Sequence, residues 1–375
     1  MRIEEVKSIL LGDIHYVRVI AEDGTSGLGQ SGCWAYPEAV DAVVQRFRDY
    51  LIGQDPSRIE HHWHQLYRMG PFRGSVLGGA VSAVDIALWD LKAKRLQVPI
   101  WELLGGRYRD RIRLHLLLDG TGPEELATAA AAAVGDGFTA VKFDPFPRAH
   151  GDLALDRLVE RVTETVGAVR EVIGPDVDLI LEMHRKPRHH EAVALAAAVA
   201  RFRPLFFEDA IQIDSIVAQG DLARRIDVAA GHGERLHTIW EFRELLERGG
   251  PQFIRPDVGL AGGLSHCRKI AAVAEAHHAA VATHNFLGPV LTAASVHLDA
   301  VIPNFVVQEY SLVDESAAFA GHRSSLRRRG GYLDLPEVPG LGVEVDEERE
   351  SEIRILPPLV ARAEVSSDGS VTAAV

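Results

Sequence analysis

From about residue 113 onward, short runs of apolar, β-favouring residues alternate with longer segments whose apolar positions recur at helical spacing. RLHLLL precedes EELATAAAAAV, FTAVKF precedes LALDRLVERVTETVGAVREVI, and VDLILEM precedes HEAVALAAAVARF. The rhythm continues through PLFFE, VAAGHGE, QFIRPD and AVATH, each with a helical successor, and closes on NFVVQEY. Near-continuous apolar strands separated by helices predict a parallel sheet with helices covering it. Eight such strands in roughly 200 residues fit a closed barrel better than an open, doubly wound sheet.

The first 112 residues have no such rhythm and read as mixed α+β. HYVRVIAEDG alternates and ends in Asp23-Gly24, a hairpin signal. VSAVDIALWDLKAKRL follows Gly78-Gly79 as a helix with Val84, Ala87, Leu88 and Leu91 on one face. Trp89 and Trp101 read as packing residues, since aromatic side chains dominate cores. Beyond residue 320, Gly, Pro and charged residues replace the rhythm. The expected division is 1–112, 113–320 and 321–375.

Composition narrows the function classes. With 47% hydrophobic and 25% charged residues, the 375-residue chain has ordinary globular values. A net charge of −13 argues against a nucleic-acid partner, because phosphate binding draws on basic patches. No apolar run reaches the length of a membrane span, and MRIEEVKSIL lacks the pattern of a secretory signal; the expectation is a cytoplasmic protein. Two cysteines make no disulfide framework.

The chemistry is expected where polar residues close the apolar strands. Glu182 ends VDLILEM, Glu208 ends PLFFE and Glu234 ends VAAGHGE, at intervals of 26 residues. Carboxylates at equivalent positions on neighbouring strands converge at the C-terminal mouth of a barrel. Without a cation they would repel, and some would stay protonated. A hard divalent ion, Mg²⁺ first, resolves this through oxygen ligands. Asp257 closes QFIRPD and His284 closes AVATH, 27 residues apart. A carboxylate beside an imidazole fixes its tautomer and raises its basicity, which suits a general base. Glu309 ends NFVVQE at the same rim. His184 lies two residues beyond Glu182; on an extended strand both side chains point the same way, which places a second imidazole, a candidate acid, near the metal.

These residues carry a resemblance. DIALWDLKAKRLQVPIWELLGG, VKFDPF, LEMHR, FFED, GERL, RPDVGLAGG, THNFLGP and VQEY resemble, in order and over essentially the whole chain, the motifs of the mandelate racemase subgroup of the enolase superfamily. The resemblance implies a modified (β/α)7β barrel of the TIM type, capped by an α+β domain that the N-terminal region and the C-terminal segment build together. It implies Mg²⁺ held by Glu182, Glu208 and Glu234, an Asp257–His284 dyad, and the last-strand carboxylate Glu309. Glu182 stands where the family usually carries Asp. Lys142-Phe143-Asp144 stands where its racemases carry Lys-x-Lys, so the second base of a two-base racemisation is missing.

The Glu-x-His pattern paired with the seventh-strand His resembles the galactonate and gluconate dehydratase branch in particular. The implied reaction removes water from an aldonate through an enediolate, giving a 2-keto-3-deoxy acid. Lys142 then contacts the substrate carboxylate and Asp144 a sugar hydroxyl. The other readings are an epimerase using His284 and Lys142 as opposed bases, and a decayed barrel acting as a binding protein. Trp34 and Tyr36 fall in the family's lid region and become candidate specificity residues. The expected partners are a small acid sugar, from the resemblance, and further copies of the chain, since capped barrels often assemble symmetrically, with no nucleic acid and no membrane on the composition given above. Gly27-Leu28-Gly29-Gln30-Ser31-Gly32 matches GxGxxG formally, but Pro37 interrupts the helix that dinucleotide binding requires. His61, His62 and His64 lack the regular placement of a zinc site and read as solvated or packing residues.

Overall fold

The computed structural model describes residues 1–346 and 363–374. Strands β1 (Ile3–Leu11), β2 (Ile14–Ala21) and β3 (Ser26–Gln30) form an antiparallel meander. Helices α1 (Pro37–Leu51), α2 (Ile59–Arg68) and α3 (Ser75–Leu96) pack against it around one apolar core. The Asp23-Gly24 turn joins β2 to β3 as expected, with Gly24 at positive φ. Gly27 and Gly29 explain themselves by contact with α3. A Cβ on Gly27 would lie 2.0 Å from the carbonyl oxygen of Ala87, and one on Gly29 2.0 Å from that of Ala83. Close approach of strand to helix accounts for this half of the glycine run.

After α4 (Ile100–Leu103) the barrel begins. Its elements are β4 (Arg111–Leu117), α5 (Gly122–Gly135), β5 (Ala140–Phe143), α6 (Leu155–Ile173), β6 (Asp178–Glu182), α7 (His189–Val199), β7 (Phe206–Glu208), α8 (Ile216–Ala223), β8 (Ala230–His232), α9 (Ile239–Glu247), β9 (Phe253–Ile254), α10 (Gly263–Ala276), β10 (Ala280–Thr283), α11 (Pro289–Asp299) and β11 (Phe305–Tyr310). Neighbouring strands are parallel throughout, and β11 pairs with β4 to close the ring. An α-helix follows each of the first seven strands, and only two short 3-10 turns, Leu312–Glu315 and Ala317–Phe319, follow the eighth before β12. This is the (β/α)7β barrel.

The C-terminal stretch contributes β12 (His322–Ser324), β13 (Arg328–Arg329), β14 (Tyr332–Asp334) and β15 (Val343–Val345). β14 pairs antiparallel with β4, and β12 pairs with β15. Several contacts tie this stretch to the N-terminal region. Tyr16 Oη lies 2.9 Å from His322 Nε2, Arg18 Nη1 3.1 Å from Glu344, and Leu341 N donates to Asp90 at 2.6 Å. Trp101 donates its indole N–H to Pro336 O at 2.8 Å, and Trp89 its own to Ser265 at 2.8 Å, so both tryptophans join elements as packing residues. A last hairpin pairs β16 (Ala363–Val365) with β17 (Val371–Ala374). Residues 347–362 and 375 of the expected C-terminal segment lie outside the described residues.

Inside the barrel the period of two along each strand sorts side chains into layers. Ala140, Ile180, Phe206, Ala282 and Val307 form a small, fully buried apolar cluster. Two residues further along the same chains stand Lys142, Glu182, Glu208, His284 and Glu309. Phe253, packed against the same cluster, is followed two residues later by Arg255. The barrel is therefore plugged with hydrocarbon, and a layer of ionisable groups rests on the plug on the mouth side. No helix among the described residues is long and apolar enough to cross a membrane.

Candidate active site

Glu182 and Glu208 are the last residues of β6 and β7. Glu234 lies two residues past β8, beyond Gly233, whose φ of 129° breaks the strand early. Each of the three buried carboxylates offers an oxygen within 4.8 Å of the others. Lys142, from β5, places its Nζ against two of them, 2.9 Å from Glu182 and 3.2 Å from Glu208, and 2.7 Å from Glu309. Arg255 approaches from the opposite strand. Its guanidinium is fully buried, ion-pairs with both Glu208 and Glu309, and donates to Ala282 O at 3.1 Å.

The two predicted histidines both have carboxylate partners. His284 Nδ1 is 2.8 Å from Asp257 Oδ2, while its Nε2 is 3.4 Å from Glu234 and 4.0 Å from Glu309. Asp257 is itself held by the Gly259 N–H, which donates to Oδ1 at 2.7 Å. His184 Nδ1 is 2.7 Å from Asp144 Oδ2. The route by which His184 arrives differs from the expected extended strand. β6 ends at Glu182, and His184 and Arg185 both adopt left-handed backbone, at φ 48° and 62°. Two consecutive non-glycine residues in that region are strained. The turn is held by Arg185 N donating to Asp209 O at 2.8 Å and by His184 N donating to Glu182 Oε1 at 2.9 Å. The Arg185 side chain, nearly buried, adds bonds to Asp209 (3.0 Å) and Glu234 (2.8 Å).

Asp144 is more heavily engaged than a sugar-binding residue was expected to be. Its Oδ1 accepts from Phe146 N at 2.9 Å, and its Oδ2 meets both His184 and Lys186 Nζ, each at 2.7 Å. Trp34 reaches the mouth from the N-terminal region. Its ring stands edge-on to Phe286 at 6.3 Å, the Arg235 guanidinium lies 5.3 Å from it, and Phe286 in turn contacts the His284 ring at 5.5 Å. Gly32, at the base of this loop, lies so close to the dyad that a Cβ there would sit 2.7 Å from Asp257 Oδ1. Tyr36 is not gathered in with Trp34; it precedes α1 and is 57% exposed. Of the histidines in α2, His62 is buried between Tyr50 Oη and Asp55 O, both at 2.8 Å, in a packing role.

Electrostatics differ sharply among the crowded carboxyls. Burial raises all of them. At Glu182 the Lys142 ammonium and the His184 ring outweigh burial and hold the group at about 2. At Glu234 burial is overcome by His284, Arg235 and Arg185, leaving it well below the usual range. At Glu208 burial prevails and the negative charges of Glu182 and Glu309 add to it, against Arg255 and Lys142. Its carboxyl sits well above the usual range. Burial opposes charge on His284, but Glu234, Glu309 and Asp257 raise its basicity beyond that of a free imidazole.

These features match known proteins over nearly the full length. A family profile described as mandelate racemase/muconate lactonizing enzyme, N-terminal domain, covers residues 11–105, and one described as enolase C-terminal domain-like covers 125–349. D-galactonate dehydratases of Ralstonia pickettii (strain 12J) and Klebsiella pneumoniae (strain 342) are each 34% identical, with 88% and 89% respectively of both chains covered. The crystal structure of an enolase from Agrobacterium radiobacter, a candidate galactarate dehydratase bound to sodium and L-malate, superposes with a TM-score of 0.92 at 29% identity, covering 100% of both chains. The 3,6-anhydro-D-galactonate cycloisomerase of Zobellia galactanivorans superposes at 0.84, with 25% identity over 94% of this chain and 99% of that one. The chain belongs to the mandelate racemase/muconate lactonizing enzyme group of the enolase superfamily. It is an enzyme, a lyase of the dehydratase type.

Proposed function

We propose that the protein removes water from an aldonate of the gluconate or galactonate kind, by way of an enediolate, and releases a 2-keto-3-deoxy acid. The observation that carries this reading is a pair of imidazoles, each bonded to its own carboxylate, at the rim of one carboxylate cage. The D-galactonate dehydratases of Ralstonia pickettii and Klebsiella pneumoniae to which the chain is similar support the same substrate class.

In this reading Glu182, Glu208 and Glu234 hold Mg²⁺. The donor set fits: three buried carboxylates, oxygen atoms only, with the Lys142 ammonium against Glu182 and Glu208 and the Arg185 guanidinium against Glu234. Bound there, Mg²⁺ would supply positive charge where the substrate carboxylate gains negative charge. The chain's own residues move the protons. His284 Nε2 takes the proton α to the substrate carboxylate while Asp257 holds Nδ1–H. His184 gives a proton to the β-hydroxyl as it departs, so that hydroxyl and proton leave as water. Lys142 and Arg255 offset the charge of Glu208 and Glu309 beneath the substrate, with Lys142 nearest its carboxylate. Trp34 covers the far end of the sugar.

Racemisation would need Lys142 as a base on the face opposite His284. Burial opposes charge on that ammonium, but the three carboxylates that enclose it keep it protonated, so it has no free lone pair to take a proton, and no observation favours the racemase reading. In this reading residues 1–112 with the described part of the segment from 321 build the cap, and 113–320 the barrel. A cytoplasmic, homo-oligomeric enzyme acting on a small acid sugar completes the proposal. Chelation tests its metal. Enzyme treated with EDTA and desalted is expected to lose at least nine-tenths of its dehydratase rate and regain it with millimolar Mg²⁺. Undiminished turnover after chelation would rule out the metal assignment.

A further inference from the structure

The mandelate racemase pattern places a lysine at the position Asp144 occupies, and the structure shows what the aspartate does there. Asp144 follows the last residue of β5, with its carboxylate at the mouth. Its oxygens are shared among three donors: the Phe146 backbone N–H, the Lys186 ammonium and the His184 ring. It is ionised. Burial raises its carboxyl, but the bonds and charges of His184 and Lys186 bring it to about 2. An ionised carboxylate only accepts, so the His184 nitrogen facing it must be the donor.

We propose that Asp144 is the positioning residue for His184: it fixes the Nδ1–H tautomer and turns Nε2 to the barrel mouth as the atom that exchanges a proton with substrate. This rests on the reading of His184 as the acid of the dehydration. The backbone makes such a partner necessary. His184 leaves the strand in a left-handed turn, so neither β geometry nor a preferred rotamer of a regular element orients its ring. The backbone bonds of Arg185 and His184 fix where the turn lies, and the 2.7 Å bond to Asp144 fixes the ring on it. Lys186, which is nearly buried, bonds the same oxygen and restrains the carboxylate in turn. The site then contains two Asp–His dyads, Asp257–His284 and Asp144–His184, brought by different strands to one cage. A lysine in place of Asp144 would remove this acceptor. The same substitution that deletes the second base of a racemase thereby supplies the orienting group of a dehydratase acid.

The test separates proton abstraction from water loss. Asp144→Ala and Asp144→Asn are assayed for dehydration and for solvent-deuterium incorporation at the α-carbon of recovered substrate. Loss of an orienting carboxylate is expected to lower dehydration about 10–100-fold. Exchange driven by His284 should fall far less, so the ratio of exchange to dehydration rises. Asp144→Glu should recover part of the dehydration rate. A second readout needs no turnover. Nitrogen-15 NMR of the imidazoles at a pH where the ring is neutral, the state left after His184 has given up its Nε2 proton, with His184→Asn assigning the signal, is expected to show the Nδ1–H form in the wild type and a tautomer mixture in Asp144→Ala. If the alanine variant leaves both the exchange ratio and the His184 tautomer unchanged, the proposal is wrong. If the wild type dehydrates no sugar acid, the functional reading fails, and the NMR result alone then decides whether Asp144 orients the ring.

Discussion

His284→Asn is expected to lower kcat for dehydration by about 10²–10⁴-fold, the range a positioned general acid or base contributes, with KM little changed. Asparagine keeps a polar side chain of similar reach and can still bond to Asp257, so the change is confined to the basic nitrogen. That nitrogen, Nε2, is 3.4 Å from Glu234 and 4.0 Å from Glu309, and those carboxylates with Asp257 make it a stronger base than a free imidazole. Deuterium exchange at the α-carbon should vanish along with dehydration, because both need the same proton removed. This distinguishes the variant from Asp144→Ala, in which exchange outlasts water loss. Circular dichroism and Mg²⁺ affinity serve as controls for the fold. Dehydration persisting within a factor of ten would mean that another group is the base.

The second large effect is on stability. Arg255 is fully buried beneath the carboxylates and pairs with Glu208 and Glu309. Arg255→Met keeps much of the side-chain volume but leaves two buried acids short of a counter-charge. Breaking a buried ion pair from one side costs about 3–5 kcal/mol. A denaturant titration of the metal-free protein should show a loss of that size. Adding Glu309→Gln to Arg255→Met should restore part of it, since the quantity lost is compensation and not packing. A single Arg255→Met loss below about 1 kcal/mol would mean that the layer does not depend on this cation.

The barrel and the three glutamates are legible in the chain because both follow from periodicity. An apolar run of a few residues followed by a helix repeats at a near-constant interval, so residues at equivalent strand ends must converge once the ring closes. Local rules also explain where the runs overshoot. VAAGHGE reads as one strand, yet Gly233 turns the chain and β8 stops at His232. QFIRPD is shortened by Pro256, which has no N–H to extend the ladder beyond Arg255.

The partnerships between strands are harder to read, since their members lie far apart in sequence. Asp144 and His184 are separated by 40 residues, Arg185 and Glu234 by 49, and Arg255 and Glu309 by 54. One signal was available. Arg255 closes an apolar run just as the glutamates do, two residues beyond Phe253, and that spacing alone marks it as facing the barrel interior. His184 shows the opposite case, in which an assumed strand geometry led to the right neighbourhood by the wrong backbone path. Trp34 and Tyr36 look equivalent in sequence. Pro37 opens α1 between the loop and the helix, and Tyr36 is left facing solvent while Trp34 packs on Phe286.

Incubating the purified enzyme with Mg²⁺ and a panel of aldonates and aldarates, and measuring 2-keto-3-deoxy acid formed, tests the central claim most directly. The account predicts formation of that product from at least one aldonate of the gluconate or galactonate kind, abolished by His284→Asn. Absence of product from every acid sugar in the panel, by a folded enzyme that binds Mg²⁺, would contradict it.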